Sequence, residues 1–191
     1  MSTDQTPALT HIQYVFLDRD GVINRKLPEG EYVTSWERFQ ILPGAEEAIA
    51  RLNECGYTVI VLTNQRGIAL GYYTEADVNA LHESLQNHLK RYTAHIDAFY
   101  YCPHDKDQCN CRKPQVGLFE QAARAFPGVS ASNSVVIGDS LSDIEAAQKF
   151  GARSVFIEGD PKFQKPGSDK ARSLANASAK SLIEAVSYLS C

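Results

Sequence analysis

Two aspartates separated by a single residue, Asp18 and Asp20, directly follow the apolar run YVFL near the start of the chain. Gly21 comes next and allows the chain to turn sharply, so that both carboxylates can face one site. A carboxylate pair of this kind can hold a divalent cation, attack an electrophile or transfer a proton. Because aspartate also favours turns for local reasons, the pair by itself is weak evidence of function.

Further polar groups follow apolar runs later in the chain. The segment 63–65 (TNQ) comes after TVIVL, and its hydroxyl and backbone donors suit phosphate oxygens. Lys113 lies shortly before a predicted helix and supplies a cation that can reach phosphate. Asp139 comes after SVVIG. Ser140 and Asp143 next to it have the spacing of a helix capping box, whereas Asp139 has no such structural role.

A cluster of thiols and one imidazole occupies ten residues, CPHDKDQCNC. Its four donors are Cys102, His104, Cys109 and Cys111. They match the Cys₃His set of a closed tetrahedral zinc site, which leaves no position for an activated water and is therefore structural. We expect Cys55 and Cys191 to be free thiols. The remaining histidines carry no spacing signal and are interpreted as surface or structural residues: His11, His82, His88 and His95.

Short apolar runs alternate with amphipathic segments, which predicts βαβ units and a doubly wound, mainly parallel sheet. The predicted strands are 14–17, 58–62, 98–101, 134–137 and 154–157. Helices are predicted around 45–52, 74–89, 119–126 and 144–150, with a short one at about 182–189. The segments 24–43 and 158–170 are predicted to be irregular. We expect one α/β domain over 1–191, with the zinc loop 102–111 inserted in it.

Composition excludes several classes of protein. The chain has 191 residues and a formal net charge of −4, so a basic surface for nucleic acid is not expected. Its longest apolar runs are far shorter than the roughly 20 residues of a membrane span. The first residues lack the basic and apolar regions of a signal peptide, which predicts a cytoplasmic protein with reduced thiols.

Together, the groups at the ends of the predicted strands resemble, in type and order, the haloacid dehalogenase (HAD) superfamily of aspartate-nucleophile phosphatases. This resemblance implies a Rossmann-like domain in which Asp18 attacks phosphorus and Asp20 acts as the acid and base. It also implies that Thr63 and Lys113 bind the phosphoryl group. Asp18, Asp139 and the backbone carbonyl of Asp20 would hold Mg²⁺.

The zinc cluster, with the segments DRDGVIN, TNQRGIALGYYT and YYCPH, resembles a small HAD subgroup without a cap domain. Its members include heptose-bisphosphate and histidinol-phosphate phosphatases. The resemblance implies an enzyme that removes the 7-phosphate of heptose 1,7-bisphosphate. We expect the enzyme to be a monomer. The linker between His104 and Cys109 is short, which favours histidinol phosphate as the alternative substrate. A zinc-loop binding module on a degenerate scaffold is the alternative from another class.

Substrate selection in such a capless protein must depend on short loops around 24–36, 64–74 and 102–112. The expected substrate-binding residues, besides Thr63 and Lys113, are Asn64, Gln65, Arg66, Arg112 and Ser140. Among these, Arg66 and Arg112 provide fixed positive charge for a second phosphate group.

Overall fold

The predicted apolar strands form the centre of one parallel sheet in the computed structural model of the chain, which describes residues 9, 11–28, 30–160, 162 and 166–191. The strands are β1 (Tyr14–Leu17), β2 (Thr58–Asn64), β3 (Ala98–Cys102), β4 (Ser134–Gly138), β5 (Arg153–Ile157) and β6 (Ala177–Ala179). Their order across the sheet is β3-β2-β1-β4-β5-β6, and each neighbouring pair is parallel. The predicted doubly wound α/β fold is therefore confirmed.

The central position of β1 places the functional segments side by side. Leu17, the last residue of β1, is in register with Val61 of β2 and Ile137 of β4. The chain leaves β1 toward β2 on one side, and the later crossover from β3 returns to β4 on the other side, so the strand order reverses at β1. Ligands of open α/β sheets bind at such a switch point, outside the carboxyl ends of the strands. Asp18 and Asp139 both come directly after strands that end there.

The helices follow the predicted alternation. They are α1 (Ala45–Glu54), α2 (Glu75–Leu89), α3 (Gly117–Ala125), α4 (Leu141–Phe150), α5 (Ser168–Leu174) and α6 (Leu182–Val186). Thr74 and Asp77 form the predicted capping box at the start of α2. Gly151 ends α4 in the left-handed conformation, with φ 85°. None of the helices built from the described residues has the length and apolarity that crossing a bilayer requires.

Both faces of the sheet are covered, which explains why its strands are apolar without strict alternation. Val15 and Leu17 belong to the core on one face, together with residues of α1, α2 and α6. Phe16 points to the opposite face, where its ring packs edge-on against Phe119 of α3 at a centroid distance of 5.1 Å. This double packing fixes the strand that Asp18 and Asp20 follow.

Some boundaries differ from the prediction. β2 continues to Asn64, so that Thr63 and Asn64 are strand residues. The segment 158–170 contains the start of α5 at Ser168, and the three-residue strand β6 was not predicted because ASA carries little apolar signal. Residues 161 and 163–165 of that segment lie outside the described residues. The described residues of the segment 24–43, all but residue 29, are irregular, as expected, with one 3₁₀ turn among them at 36–38.

The prediction of free, reduced thiols at Cys55 and Cys191 is wrong: the two residues are joined by a disulfide, with their Cα atoms 5.0 Å apart. The two thiols are separated by 136 residues, so no local pattern could pair them. They meet because α6 packs against α1, and because the Tyr57 hydroxyl donates a hydrogen bond to the carbonyl oxygen of Ser190. The C-terminus is thereby attached to the end of α1.

The disulfide predicts a definite thiol count. Denatured, metal-free protein prepared without reductant should titrate with three thiols, the number of free cysteines, and with five after reduction. Because the crosslink closes a long loop, Cys191→Ser should lower the unfolding free energy of the oxidised protein by about 2–4 kcal/mol. Cys55→Ser is the matched variant and should have the same effect, since it removes the same bond. Five titratable thiols without reductant would contradict the pairing.

Candidate active site at the carboxyl end of the sheet

Lys113 is the buried centre of the candidate site. Its ammonium donates to Oδ1 of Asp18 at 2.9 Å and to the carbonyl oxygen of Leu62 at 2.5 Å, and it lies 2.6 Å from Oδ1 of Asp143. These three contacts match the three donors of a lysine. Burial opposes the charged form, but the charges of Asp143 and Asp18 outweigh it and raise the pKa of Lys113. The lysine is therefore a fixed cation beside the predicted nucleophile.

Three carboxylates meet above this lysine. Asp18, Asp139 and Asp143 each have an oxygen within 4.8 Å of the others. Burial raises the pKa of Asp18, and burial likewise raises the pKa of Asp139 to about 6, in each case against the effect of a neighbouring lysine. Oδ1 of Asp139 is buried and has no hydrogen-bond partner within the described part of the chain. An all-oxygen group of converging carboxylates suits Mg²⁺.

Two charged residues at this site, Asp143 and Lys26, are not among the predicted site residues. Asp143 was interpreted only as a cap of α4, and it does accept hydrogen bonds from the backbone and hydroxyl of Ser140. Its second role arises because the first turn of α4 begins directly above β4. Lys26, from the irregular segment 24–43, forms an ion pair with Oδ2 of Asp139. No spacing rule connects these two residues, which are 113 positions apart.

Glycines allow the carboxylates to approach the backbone. Gly21 has φ +100°, and a Cβ atom on it would lie 2.1 Å from Oδ2 of Asp139. A Cβ on Gly138 would lie 2.3 Å from the Cβ of Asp143. A side chain at either position would therefore displace a carboxylate of the cluster, which explains the glycine in the turn after β1 and at the end of β4.

The carboxylate of Asp20 is held by donors on both oxygens. Nη2 of Arg19 donates to Oδ1 at 3.1 Å and to Oδ2 at 2.9 Å. Asn24 donates to Oδ1 at 2.8 Å, and Gln65 donates to Oδ2 at 3.1 Å. Burial alone would raise the pKa of Asp20, but the Arg19 charge and these hydrogen bonds bring it below the usual value. Asp18 and Asp20 thus have opposite pKa shifts.

The segment at the end of β2 supports the site from one side. Thr63 accepts a hydrogen bond from Gln65 at 2.9 Å, and Gln65 in turn accepts one from the Tyr73 hydroxyl at 2.6 Å. The amide of Asn64 makes two 3.0 Å hydrogen bonds to the backbone of Lys113, one to its N–H and one to its carbonyl. Asn64, expected to bind substrate, therefore positions the lysine.

The two arginines expected to bind a second phosphate have different surroundings. Arg66 is ion-paired with Asp105 in the cysteine-containing loop, and its Nη2 donates to Oδ2 of Asp105 at 3.2 Å. Nη1 of Arg112 is buried and makes no hydrogen bond to any residue that the structure describes. Arg112 is thus the arginine with unused donor capacity beside Lys113. Ser140, also expected to bind substrate, donates to Asp143 at 2.5 Å.

The four predicted zinc donors converge on one point. Sγ atoms of Cys102, Cys109 and Cys111 lie 3.1–3.5 Å from one another, and Nδ1 of His104 lies 3.6 Å from Cys102 and 3.3 Å from Cys111. Ligands 2.3 Å from a tetrahedral zinc would be about 3.7 Å apart. The donor set therefore fits zinc. The N–H of Arg112 donates to Sγ of Cys109 at 3.4 Å, which links the cluster to the segment that carries Lys113.

Comparison with known proteins agrees with this geometry. Residues 110–180 match the family model described as HAD-hydrolase-like. The chain is 43% identical over 143 residues to D-glycero-alpha-D-manno-heptose-1,7-bisphosphate 7-phosphatase of Mycobacterium bovis, covering 74% of this chain and 75% of the relative. It is 39% identical to the corresponding beta-heptose enzyme of Pseudomonas aeruginosa, covering 75% and 80%.

Solved structures give the same result. The D,D-heptose 1,7-bisphosphate phosphatase from B. bronchiseptica, complexed with magnesium and phosphate, superposes with a TM-score of 0.80. That match has 30% sequence identity and covers 92% of this chain and 97% of the other. From the similarity in sequence, fold and site, the chain belongs to the D-glycero-D-manno-heptose-1,7-bisphosphate 7-phosphatase family of HAD-like hydrolases.

Proposed function

We propose that this protein is a Mg²⁺-dependent phosphomonoesterase that removes the 7-phosphate of D-glycero-D-manno-heptose 1,7-bisphosphate. The observation that carries the proposal is the convergence of Asp18, Asp139 and Lys113 at the switch point of the sheet. Identity of 35–43% to relatives named for this activity supports the substrate. Family membership argues against the alternative of a binding module on a degenerate scaffold.

Asp18 is the proposed nucleophile. A lone pair of its carboxylate forms a bond to phosphorus while the bond from phosphorus to the sugar oxygen breaks, which yields an aspartyl-phosphate. Lys113, 2.9 Å from Asp18, reduces the repulsion between this carboxylate and the phosphate dianion. Mg²⁺, held by Asp18, Asp139 and the backbone carbonyl of Asp20, with Asp143 close by, would neutralise phosphoryl charge. Thr63 and Lys113 bind the equatorial oxygens.

Asp20 is the proposed acid and base. In the first step it donates a proton to the departing sugar oxygen, and in the second it takes a proton from the water that attacks the aspartyl-phosphate. The donors around Asp20 keep it ionised in the free enzyme. The negative charge of bound phosphate favours the protonated form, so we propose that Asp20 takes up its proton when substrate binds.

Arg112 is the proposed partner of the second phosphate. Its buried Nη1 has no hydrogen-bond partner among the described residues, and a planar guanidinium suits a phosphate group. Arg66 is engaged by Asp105, and this ion pair holds the loop after β2 against the cysteine-containing loop. A second phosphate favours the heptose bisphosphate over histidinol phosphate, whose amine would be repelled by Arg112.

We further propose that the Cys₃His cluster holds a structural Zn²⁺ and that the enzyme is a cytoplasmic monomer. The three free thiols of the cluster must be thiolates to bind the metal, and metal binding drives their deprotonation. With four protein donors the site is closed, so it supports folding of the loop rather than catalysis.

Replacement of the nucleophile should abolish turnover without unfolding the protein. Asp18→Asn has an amide that is a poor nucleophile and a weaker metal ligand, so no activity should be measurable, while circular dichroism stays as in the wild type. Asp169→Asn is the matched control, because this aspartate is fully exposed and its ion pair is with Arg172, not with a residue of the proposed site. Activity of Asp18→Asn within about tenfold of the wild type would contradict the mechanism.

Zinc should be bound in a ratio of about one per chain in protein purified without chelators. Cys109→Ser should lose that metal and lower the unfolding temperature, while the Mg²⁺ concentration required for half-maximal activity changes little. The matched control, Cys55→Ser measured in reductant, should keep its zinc. Metal analysis that finds no zinc in the wild type would reject the assignment.

Substrate choice can be measured on a panel that contains both anomers of heptose 1,7-bisphosphate, since relatives of both kinds are similar to this chain. We expect kcat/KM for the favoured anomer to exceed that for histidinol phosphate by about 10²-fold or more, the effect of one lost charged hydrogen bond.

Arg112→Ala should raise KM for the bisphosphate by about 10–100-fold. The exposed Arg124→Ala is its control. Faster cleavage of histidinol phosphate would replace the proposed substrate with that alternative.

A further inference from the structure

A buried histidine on α2 contacts Arg19, in the turn that carries Asp18 and Asp20. Nε2 of His82 lies 3.3 Å from Nη1 of Arg19, the residue between the two catalytic aspartates. His82 is 5% exposed and Arg19 is 1% exposed. The imidazole stacks on the ring of Phe99 in β3, with centroids 4.4 Å apart and planes at 16°. Nothing in the proposed mechanism uses His82.

The direction of this hydrogen bond is determined by chemistry. A guanidinium has donors only, so Nε2 of His82 must accept, and the ring must be neutral with its proton on Nδ1. Burial and the Arg19 charge lower the pKa of His82 to about 3, which keeps the ring neutral. The interaction is therefore a hydrogen bond from a charged donor to a neutral acceptor, away from solvent.

Arg19 forms hydrogen bonds with both His82 and Asp20. While Nη1 is directed at His82, Nη2 donates to both oxygens of the Asp20 carboxylate, at 3.1 and 2.9 Å. The ring of Phe39 lies 5.8 Å from the guanidinium carbon. Nε of Arg19 has no hydrogen-bond partner among the residues described. The rotation of the guanidinium is thus determined by His82 at one end and by Asp20 at the other.

We propose that His82 is a positioning residue that, through Arg19, fixes the orientation of the Asp20 carboxylate toward the leaving oxygen. This inference rests on the proposed function, because it requires Asp20 to be the acid. Asn24 and Gln65 also hold Asp20, so loss of the histidine weakens the orientation without abolishing it. The loss should appear in proton transfer and not in substrate binding.

The variants that isolate this role differ only in where they place an acceptor. The side-chain oxygen of His82→Gln reaches about as far as Nε2, whereas that of His82→Asn stops near Nδ1. Each variant is assayed on the alkyl substrate heptose 1,7-bisphosphate and on p-nitrophenyl phosphate, an aryl ester whose leaving group needs no proton. Phe99→Leu is the packing control, since it removes the stacked ring and keeps the hydrogen bond. Circular dichroism and unfolding temperatures verify the fold of each variant.

His82→Asn should lower kcat on the alkyl substrate by about tenfold, part of the 10²–10⁴-fold typical of an acid. Its KM should stay within about twofold, and its kcat on the aryl ester within about threefold. His82→Gln should retain activity on both substrates. Phe99→Leu should lower the unfolding temperature without selective loss on the alkyl substrate.

Asp20→Asn, measured in parallel, separates failure of this inference from failure of the proposed function. If Asp20→Asn shows the selective alkyl loss and His82→Asn does not, His82 has no positioning role. The proposal is also overturned if His82→Asn lowers kcat equally on both substrates, or if His82→Gln and His82→Asn lower kcat on the alkyl substrate equally. If Asp20→Asn itself is not selective, the acid role of Asp20 is wrong and the inference falls with it.

Discussion

Crowding of three carboxylates beside one buried ammonium is the constraint on which the site depends. Asp18, Asp139 and Asp143 come within 4.8 Å of each other, Asp139 and Asp143 are buried, and their mutual repulsion destabilises the fold unless cations compensate it. Lys113 supplies this compensating positive charge by contacting two of the three carboxylates, Asp18 and Asp143, directly. Lys26 pairs with the third carboxylate, Asp139. In the proposed mechanism the charge of Lys113 also attracts phosphate, so this lysine would serve both the stability of the cluster and the reaction.

Much of the surrounding structure serves to hold that lysine. Asn64 binds both the N–H and the carbonyl of its backbone, and the carbonyl of Leu62 accepts from its ammonium. The cysteine cluster ends at Cys111, two positions before Lys113, and the N–H of Arg112 donates to Cys109. The cluster therefore fixes the start of the segment that carries Lys113. In a fold with a covering domain, that domain would help to order such a loop.

Local physics made most of the fold predictable, and long-range contacts account for what was missed. Apolar runs, capping boxes and glycine stops depend on neighbours a few positions away, and the strands and helices followed them. The donor set of the cysteine cluster also lies within ten residues. Lys26 with Asp139, His82 with Arg19, and Cys55 with Cys191 are pairs separated by 113, 63 and 136 positions. These pairs meet because of the chain topology, and the residue types alone do not indicate which residues will be in contact.

The central position of β1 has a consequence for synthesis of the chain. Tyr14 pairs with Ser134, so one edge of β1 has no partner until β4 leaves the ribosome. At 5–20 residues per second this takes on the order of ten seconds. During that time the apolar run YVFL borders an open edge, a site where nascent chains associate wrongly. Asp18, directly after it, places a charge at the end of this edge. The acidic cluster closes only when β4 arrives, so its repulsion does not oppose the earlier pairing of β1 with β2.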